Sequence, residues 1–129
     1  LRPWQHVLEP ISGYLRLAKI LFDKGNFQTG NNWNFGPNDT DIKSVKEVVD
    51  MFKEINPDIS YEVKKESFHE SQVLKLNISK AKEELNWHPL WSVNEAINNT
   101  NSWYEGFYIG EDIRVVTLKQ ILAYQNLTF

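Results

Sequence analysis

The chain opens on Leu1-Arg2-Pro3-Trp4-Gln5-His6-Val7-Leu8-Glu9-Pro10-Ile11-Ser12-Gly13-Tyr14-Leu15, where a polar beginning passes directly into an apolar run of helical period. Basic, aromatic and amide side chains precede the predicted start of a helix, a place where backbone N–H groups favour anions. Packing and solvation also explain Arg and Trp at such a place. Two interpretations therefore stay open, an anion site and a packed helix entry.

The apolar residues that follow recur at spacings of three and four. They are Ile11, Tyr14, Leu15, Ala18, Leu21 and Phe22. This spacing predicts an amphipathic helix over 9–24, ended by Gly25, with these residues as its buried stripe.

The rest of the chain predicts a small mixed α/β domain of helices with a few short strands, which occupies all of 1–129. Capping oxygens at 38–41 precede a second helix over 45–55, and Ser92 precedes a helix whose inward residues run from Val93 to Tyr104 and Phe107. Two shorter helices are predicted over 80–85 and 117–124. Period-two alternation and turn residues predict strands at 33–37, 59–63 and 73–78.

Composition limits the classes of partner. A length of 129 residues allows one domain. A formal charge of −3 gives no general basic field, so neither nucleic acid nor an anionic membrane is expected as a partner. The absence of cysteine excludes disulfides and thiolate metal sites, and the cytosol is the expected compartment. Since no apolar run approaches roughly 20 residues, no membrane span is expected.

Two kinds of site are missing from the sequence. The six glycines, at 13, 25, 30, 36, 106 and 110, are too scattered for the glycine-rich turn that binds a dinucleotide, so the chain is not expected to hold NAD by itself. His6, His69 and His88 lack the spacing of a zinc site.

The letters Tyr61-x-x-x-Lys65 match the catalytic pair of short-chain dehydrogenases, but the context is wrong. On a helix, residues four apart lie roughly 6 Å from each other, close enough for an ammonium to lower a phenol pKa. Alternation around Tyr61 predicts a strand, on which the two residues lie roughly 13 Å apart. We therefore do not expect this pair to be catalytic.

His69 and Glu70 fall in a polar segment between two predicted strands. An imidazole in such a loop can donate hydrogen bonds to phosphate or ribose oxygens. A solvated loop histidine is the alternative that the residues alone leave open.

Four ordered stretches carry a family resemblance. They are the opening segment, Trp33-Asn34-Phe35-Gly36-Pro37, the run from His69 to Ala81, and Leu85-Asn86-Trp87-His88-Pro89. Together they resemble the sugar-nucleotide 4,6-dehydratases of the extended short-chain dehydrogenase/reductase family, in particular the branch that acts on CDP-glucose. Residues 110–114 and 117–124 are similar to the same branch. The resemblance implies that the chain is the substrate-binding C-terminal part of such a fold.

The resemblance also implies a site. The family's diphosphate-binding arginine corresponds to Arg2, and the polar loop that faces the nucleotide corresponds to the segment around His69. The implied substrate-binding residues are Arg2, Gln5, Asn34, Lys65 and His69. Lys65 is the possible substitute for an arginine that relatives carry near this place. Asn77 and Asn86 also depart from the family's Asp and Gly, and Asn86 is expected to adopt a left-handed turn.

In this family the NAD-binding and acid–base residues belong to an N-terminal Rossmann portion, which these residues do not resemble. Because the chain does not begin with Met, we expect it to be a part of a longer protein. The full-length parent would bind NAD, convert a CDP-sugar and form a homo-oligomer, whereas this part alone would hold neither NAD nor catalytic residues. The alternatives are a part of another dehydratase or epimerase, and a non-catalytic interaction module.

Overall fold

The fold is known from a computed structural model that describes residues 1–24, 32–64 and 73–127. Within them the elements are β1 Arg2–Pro3, α1 Leu8–Lys24, a 3-10 turn Asp39–Asp41, β2 Ile42–Lys43, α2 Val45–Ile55, α3 Ser79–Leu85, α4 Val93–Tyr108 and α5 Ile113–Gln125. This mostly helical arrangement with two short strands confirms the predicted small mixed α/β domain.

The start of the chain is held by two neighbouring segments. β1 pairs with β2 in antiparallel register, with Arg2 opposite Lys43, and the indole N–H of Trp4 donates to the Lys43 carbonyl over 3.0 Å. The N–H of Leu74 donates to the Leu1 carbonyl over 3.1 Å. The opening stretch is therefore fixed before α1 begins.

Side-chain caps set the beginnings of the longer helices. Ser44 with Glu47, and Ser92 with Glu95, each form a capping box in which hydroxyl and carboxylate satisfy backbone N–H groups. The predicted cap at Ser92 is thereby confirmed. The predicted capping role of 38–41 is wrong, because residues 39–41 form a 3-10 turn and Ser44 begins α2 instead.

The predicted strands at 33–37, 59–63 and 73–78 are wrong, since the structure describes all three segments without strand pairing. Side-chain hydrogen bonds replace the expected ladder in two of them. The Gln5 amide donates to the Phe35 carbonyl, and the Asn34 amide donates to the Asn77 carbonyl. In the third segment, Tyr61 donates to Asp50 of α2 over 2.8 Å.

Two apolar clusters form the core. The first consists of Phe35, Ile78, Ala81, Leu85 and Trp87, against which Leu17 and Ile20 of α1 pack. The second consists of Val48, Val93 and Ile97, with Trp4, Met51 and Phe52 packed against it. The segments that hold Arg2, Gln5 and Asn34 are thus anchored between these clusters.

The orientation of α1 differs from the prediction. Its inner side carries Glu9 and Gly13, both buried, and Gly13 lies so close to the Phe35 ring that a Cβ atom there would overlap it. The predicted buried stripe is exposed: Ile11, Tyr14, Leu15, Ala18, Leu21 and Phe22 face solvent. The helical period was correct, but the helix has two apolar sides and the core contacts the other one.

The C-terminal helices differ from the prediction in extent and burial. Val93, Ala96 and Ile97 of α4 are buried as predicted, whereas Tyr104 and Phe107 extend past the core and are exposed. Asp112 accepts N–H bonds from Arg114 and Val115, so α5 begins earlier than predicted. Asn86 adopts the predicted left-handed conformation, with φ of 48°, at the end of α3.

Candidate functional site

Arg2 lies on β1 directly opposite Lys43 of β2. Its side chain is half-buried, and its Nη1 donates to the Leu1 carbonyl over 3.0 Å. Like charges directly opposite in a ladder repel each other, and a bound anion relieves that repulsion. Lys43 also helps Ser44 to hold the pKa of Glu47 below its usual range, Ser44 having the larger effect. The ladder thus brings two cationic residues, Arg2 and Lys43, into neighbouring positions.

Gln5 and Asn34 lie on segments that contact each other. The Gln5 Nε2 donates to the Phe35 carbonyl over 3.0 Å, one residue from Asn34. Asn34 donates from its Nδ2 to the Asn77 carbonyl over 3.2 Å, and it is exposed. Both amides are therefore engaged with backbone, and three of the five predicted site residues lie on contacting segments. The other two, Lys65 and His69, lie outside the described residues.

A cavity of about 270 Å³ adjoins Gln5. Val7, Leu8 and Ile121 give it an apolar wall, and its other lining residues are Gln5, His6, Thr100, Trp103, Thr117 and Gln120. The Gln5 Oε1 is buried and, in the part of the chain that the structure describes, accepts no hydrogen bond. Gln5 thus stands between the Arg2 edge and this cavity.

A buried carboxylate that the sequence did not reveal organises the region behind the site. Glu9 is 0% exposed and accepts hydrogen bonds from the N–H groups of Leu90 and Trp91 and from the Tyr124 hydroxyl, the last over 2.7 Å. Burial raises the pKa of Glu9, although these donors act in the opposite direction. The sequence predicts Glu9 at the start of α1, but nothing in the sequence indicates that its side chain is buried.

The Glu9 contacts extend through α1 into the first core cluster. Ser12 lies 3.1 Å from the Tyr124 hydroxyl and accepts a 2.9 Å bond from the Trp87 indole. Burial, with Glu9 as a smaller cause, raises the pKa of Tyr124, so this phenol stays protonated. Because the polar atoms satisfy one another, this cluster holds α1, α5 and the segment before α4 together.

Carboxylates capture four successive backbone N–H groups before and at the start of α4. Glu9 takes those of Leu90 and Trp91, Glu95 takes that of Ser92, and Asp41 takes that of Val93 over 2.9 Å. Such a run of N–H groups would otherwise attract an external anion. The protein's own carboxylates occupy it, so a ligand phosphate is not expected there.

His6 has a structural role. It is buried, its ring meets Trp91 edge-on at 4.8 Å, and burial lowers its pKa. Its Nδ1 accepts the N–H of Leu8, which places the proton of the neutral ring on Nε2. Across the described ranges no group of three or more metal-ligating side chains is found.

The described residues do not fit NAD. Their two strands have two residues each and run antiparallel, and Gly13 and Gly106 lie inside helices. A dinucleotide needs a strand, a glycine-rich turn and a helix whose N-terminus meets the pyrophosphate. Tyr61 donates from its hydroxyl to Asp50, and residues 59–64 are not helical, whereas Lys65 lies outside the described residues. The strand predicted there is wrong.

No helix in the described parts of the chain has both the length and the apolarity to cross a bilayer.

The chain is similar in sequence to a known protein over almost its whole length. No protein-family profile matches the chain. It is 40% identical over 131 aligned positions to a Salmonella typhimurium (strain LT2) protein named CDP-glucose 4,6-dehydratase. That match covers 99% of this chain but 36% of the relative, so the chain spans about a third of the relative's length. The resemblance indicated by the ordered motifs is confirmed: almost the whole chain is similar to part of a CDP-glucose 4,6-dehydratase.

Proposed function

We propose that this chain is the nucleotide-sugar-binding portion of a CDP-glucose 4,6-dehydratase. The full-length enzyme would convert CDP-glucose into CDP-4-keto-6-deoxyglucose and water. The observation that carries the proposal is the 40% identity over 99% of the chain to a protein of that name. A part of a related sugar-nucleotide dehydratase is the coarser form of the same statement.

The proposed ligand contact centres on Arg2. Arg2 is paired with Lys43 in the ladder, and two neighbouring cations suit the diphosphate of a CDP-sugar. A charge-assisted hydrogen bond to phosphate contributes roughly 1.5–3 kcal/mol. Gln5 and Asn34, whose amides donate to the Phe35 and Asn77 carbonyls, belong to the proposed substrate-binding set. Lys65 and His69 complete that set from outside the described residues.

The proposed role is to hold and orient the substrate, which contributes to catalysis by fixing the reacting geometry. The residues described here do not fit NAD, so the hydride chemistry would belong to the share of the enzyme that has no counterpart in this chain. A full-length enzyme of this kind is proposed to hold NAD and to form a homo-oligomer.

An amide NMR titration of the 129-residue chain tests the binding role. We expect CDP to shift the resonances of residues 1–5 and 33–35, and to shift them more than UDP does. A uniform response would indicate nonspecific anion binding, so inorganic pyrophosphate serves as the control for charge alone. Unchanged spectra with every nucleotide would contradict the proposal and favour a non-catalytic interaction module.

A further inference from the structure

Asp41 is a buried carboxylate that joins the start of α4 to the segment leading into β2. Its Oδ1 accepts the Val93 N–H over 2.9 Å. Val93 is the first residue of α4, so its N–H has no acceptor within the helix. The hydrogen bond therefore satisfies a buried donor and ties the end of the 3-10 turn to α4.

The residues that directly follow Asp41 hold the edge that carries Arg2. Ile42 and Lys43 form β2, and the ladder places Pro3 opposite Ile42 and Arg2 opposite Lys43. A ladder this short contributes little stability of its own, because an isolated pair of strands is marginal in water. The position of Arg2 therefore depends on the contacts that fix β1 and β2 to the rest of the fold.

β2 is fixed on both of its sides. After the strand, Ser44 caps α2. Before it, Asp41 holds the backbone to α4, and Glu9 holds the segment before α4 to α1 through the Trp91 N–H over 2.7 Å. Since β1 leads into α1, these bonds connect both strands of the ladder to the same helix. Loss of the Asp41 bond would release one end of β2.

We propose that Asp41 is a positioning residue for the proposed nucleotide-sugar site: by holding β2 to α4, it fixes β1 and thereby the backbone of Arg2. The inference rests on the proposed function, because it takes Arg2 as the residue that binds the diphosphate. A carboxylate repels such a ligand, so Asp41 contributes through position and not by contact. Charge alone predicts that its removal strengthens anion binding, and a weaker affinity therefore reports on position.

Calorimetry with CDP compares the wild-type chain with Asp41→Ala, Asp41→Asn and Glu95→Ala. Asp41→Ala should weaken binding roughly tenfold. Asp41→Asn keeps an oxygen acceptor for the Val93 N–H and should bind as the wild type does. Glu95→Ala removes a carboxylate that accepts from Ser92 at the same helix start, and it should leave the affinity unchanged. A wild type and an Asp41→Ala variant of equal affinity overturn the proposal.

A measurement without ligand separates this proposal from the binding role. The Trp4 indole N–H donates to the Lys43 carbonyl, so its exchange with solvent reports on the position of β2. Asp41→Ala should speed this exchange roughly tenfold or more, and Glu95→Ala should not. If the wild type fails to bind CDP while the exchange changes as expected, the proposed function fails and the positioning of the ladder by Asp41 stands. Unchanged exchange in Asp41→Ala overturns the positioning.

Val93→Pro removes the same hydrogen bond from the donor side, so the test does not depend on the folding of Asp41→Ala alone. Proline is accepted at the first position of a helix, and it lacks the N–H that Asp41 accepts. We expect the same change in the Trp4 exchange, and little further change in the double variant, because both substitutions break one bond. Circular dichroism checks that each variant keeps its helices. Fully additive effects would contradict the role of the bond between Asp41 and Val93.

Discussion

The two sides of α1 differ in what they contact. The inner side makes specific buried contacts, and the outer side is apolar and exposed. The inner side holds Glu9, Ser12 and Gly13, which are fixed by buried hydrogen bonds and by the Phe35 ring. The outer side carries the exposed apolar stripe and no polar anchor. The comparison teaches that the inner side of this helix is fixed by polar and close contacts, whereas most of its apolar surface faces solvent.

Among substitutions on the two sides of α1, Glu9→Ala is expected to change the free energy of unfolding most. It removes the acceptor for Leu90, Trp91 and Tyr124 and leaves buried donors unsatisfied. We expect the free energy of unfolding to fall by about 3–5 kcal/mol, since each charge-assisted bond contributes roughly 1.5–3 kcal/mol and is partly offset by desolvation. Urea unfolding measures it, and a loss below about 1 kcal/mol would show that Glu9 is no brace.

Gly13→Ala tests the tightness of the inner side. A Cβ atom at Gly13 would overlap the Phe35 ring, so the helix or the ring must move. Overpacking of this kind costs about 1–3 kcal/mol, although alanine is the better helix former. Gly110→Ala is the control for backbone strain alone, because its φ is 80° and no atom lies within 4 Å of an added Cβ. A stabilised Gly13→Ala protein would contradict the close packing.

The raised pKa of Glu9 predicts a dependence of stability on pH. The folded state holds this proton more tightly than the unfolded state, whose pKa is near 4.5. The contribution of Glu9 is therefore complete below pH 4.5 and falls as the pH rises through the folded pKa. Glu47 and Asp50 have lowered pKa values and act in the opposite sense, so the measurement is the difference between wild type and Glu9→Gln. The free energy of unfolding of the wild type minus that of Glu9→Gln should fall as the pH rises, and an increase of this difference would contradict the prediction.

The smallest effect is expected from Leu15→Ala on the outer side. The free energy of unfolding should change by about 0.5 kcal/mol or less, because the side chain is 67% exposed. Urea unfolding of the variant and the wild type measures this difference. A loss well above 1 kcal/mol would contradict the exposure of Leu15.

Local signals predicted much of the fold. The capping box at Ser92, the turn at Asn86 and the periods of α1, α2 and α4 follow from residues near in sequence. The burial of α1 could not be predicted in this way, because both its sides carry apolar residues. Gly13 favoured the inner side through its fit to Phe35, a contact across 22 positions of sequence that periodicity does not contain.

Three of the proposed substrate-binding residues can be located in the structure, and their binding role stays a prediction. Arg2, Gln5 and Asn34 were named from motifs, and the structure places them on contacting segments. Glu9 and Asp41 were missed because their roles depend on distant N–H groups at Leu90, Trp91 and Val93. The wrongly predicted strand at 33–37 has a related cause. Apolar and polar residues alternate there because the segment is a loop held by side chains such as Asn34, which donates to the Asn77 carbonyl, and not because it pairs with another strand.

The most direct test of the nucleotide-binding account is isothermal calorimetry of the chain with CDP-glucose, comparing wild type with Arg2→Gln. Arg114→Gln on α5 removes the same charge at a residue outside the proposed substrate-binding set and serves as the control. The account predicts that Arg2→Gln weakens binding by roughly tenfold or more and that Arg114→Gln leaves it unchanged, as expected when a charge-assisted phosphate contact is lost. Equal affinities in all three proteins would contradict it.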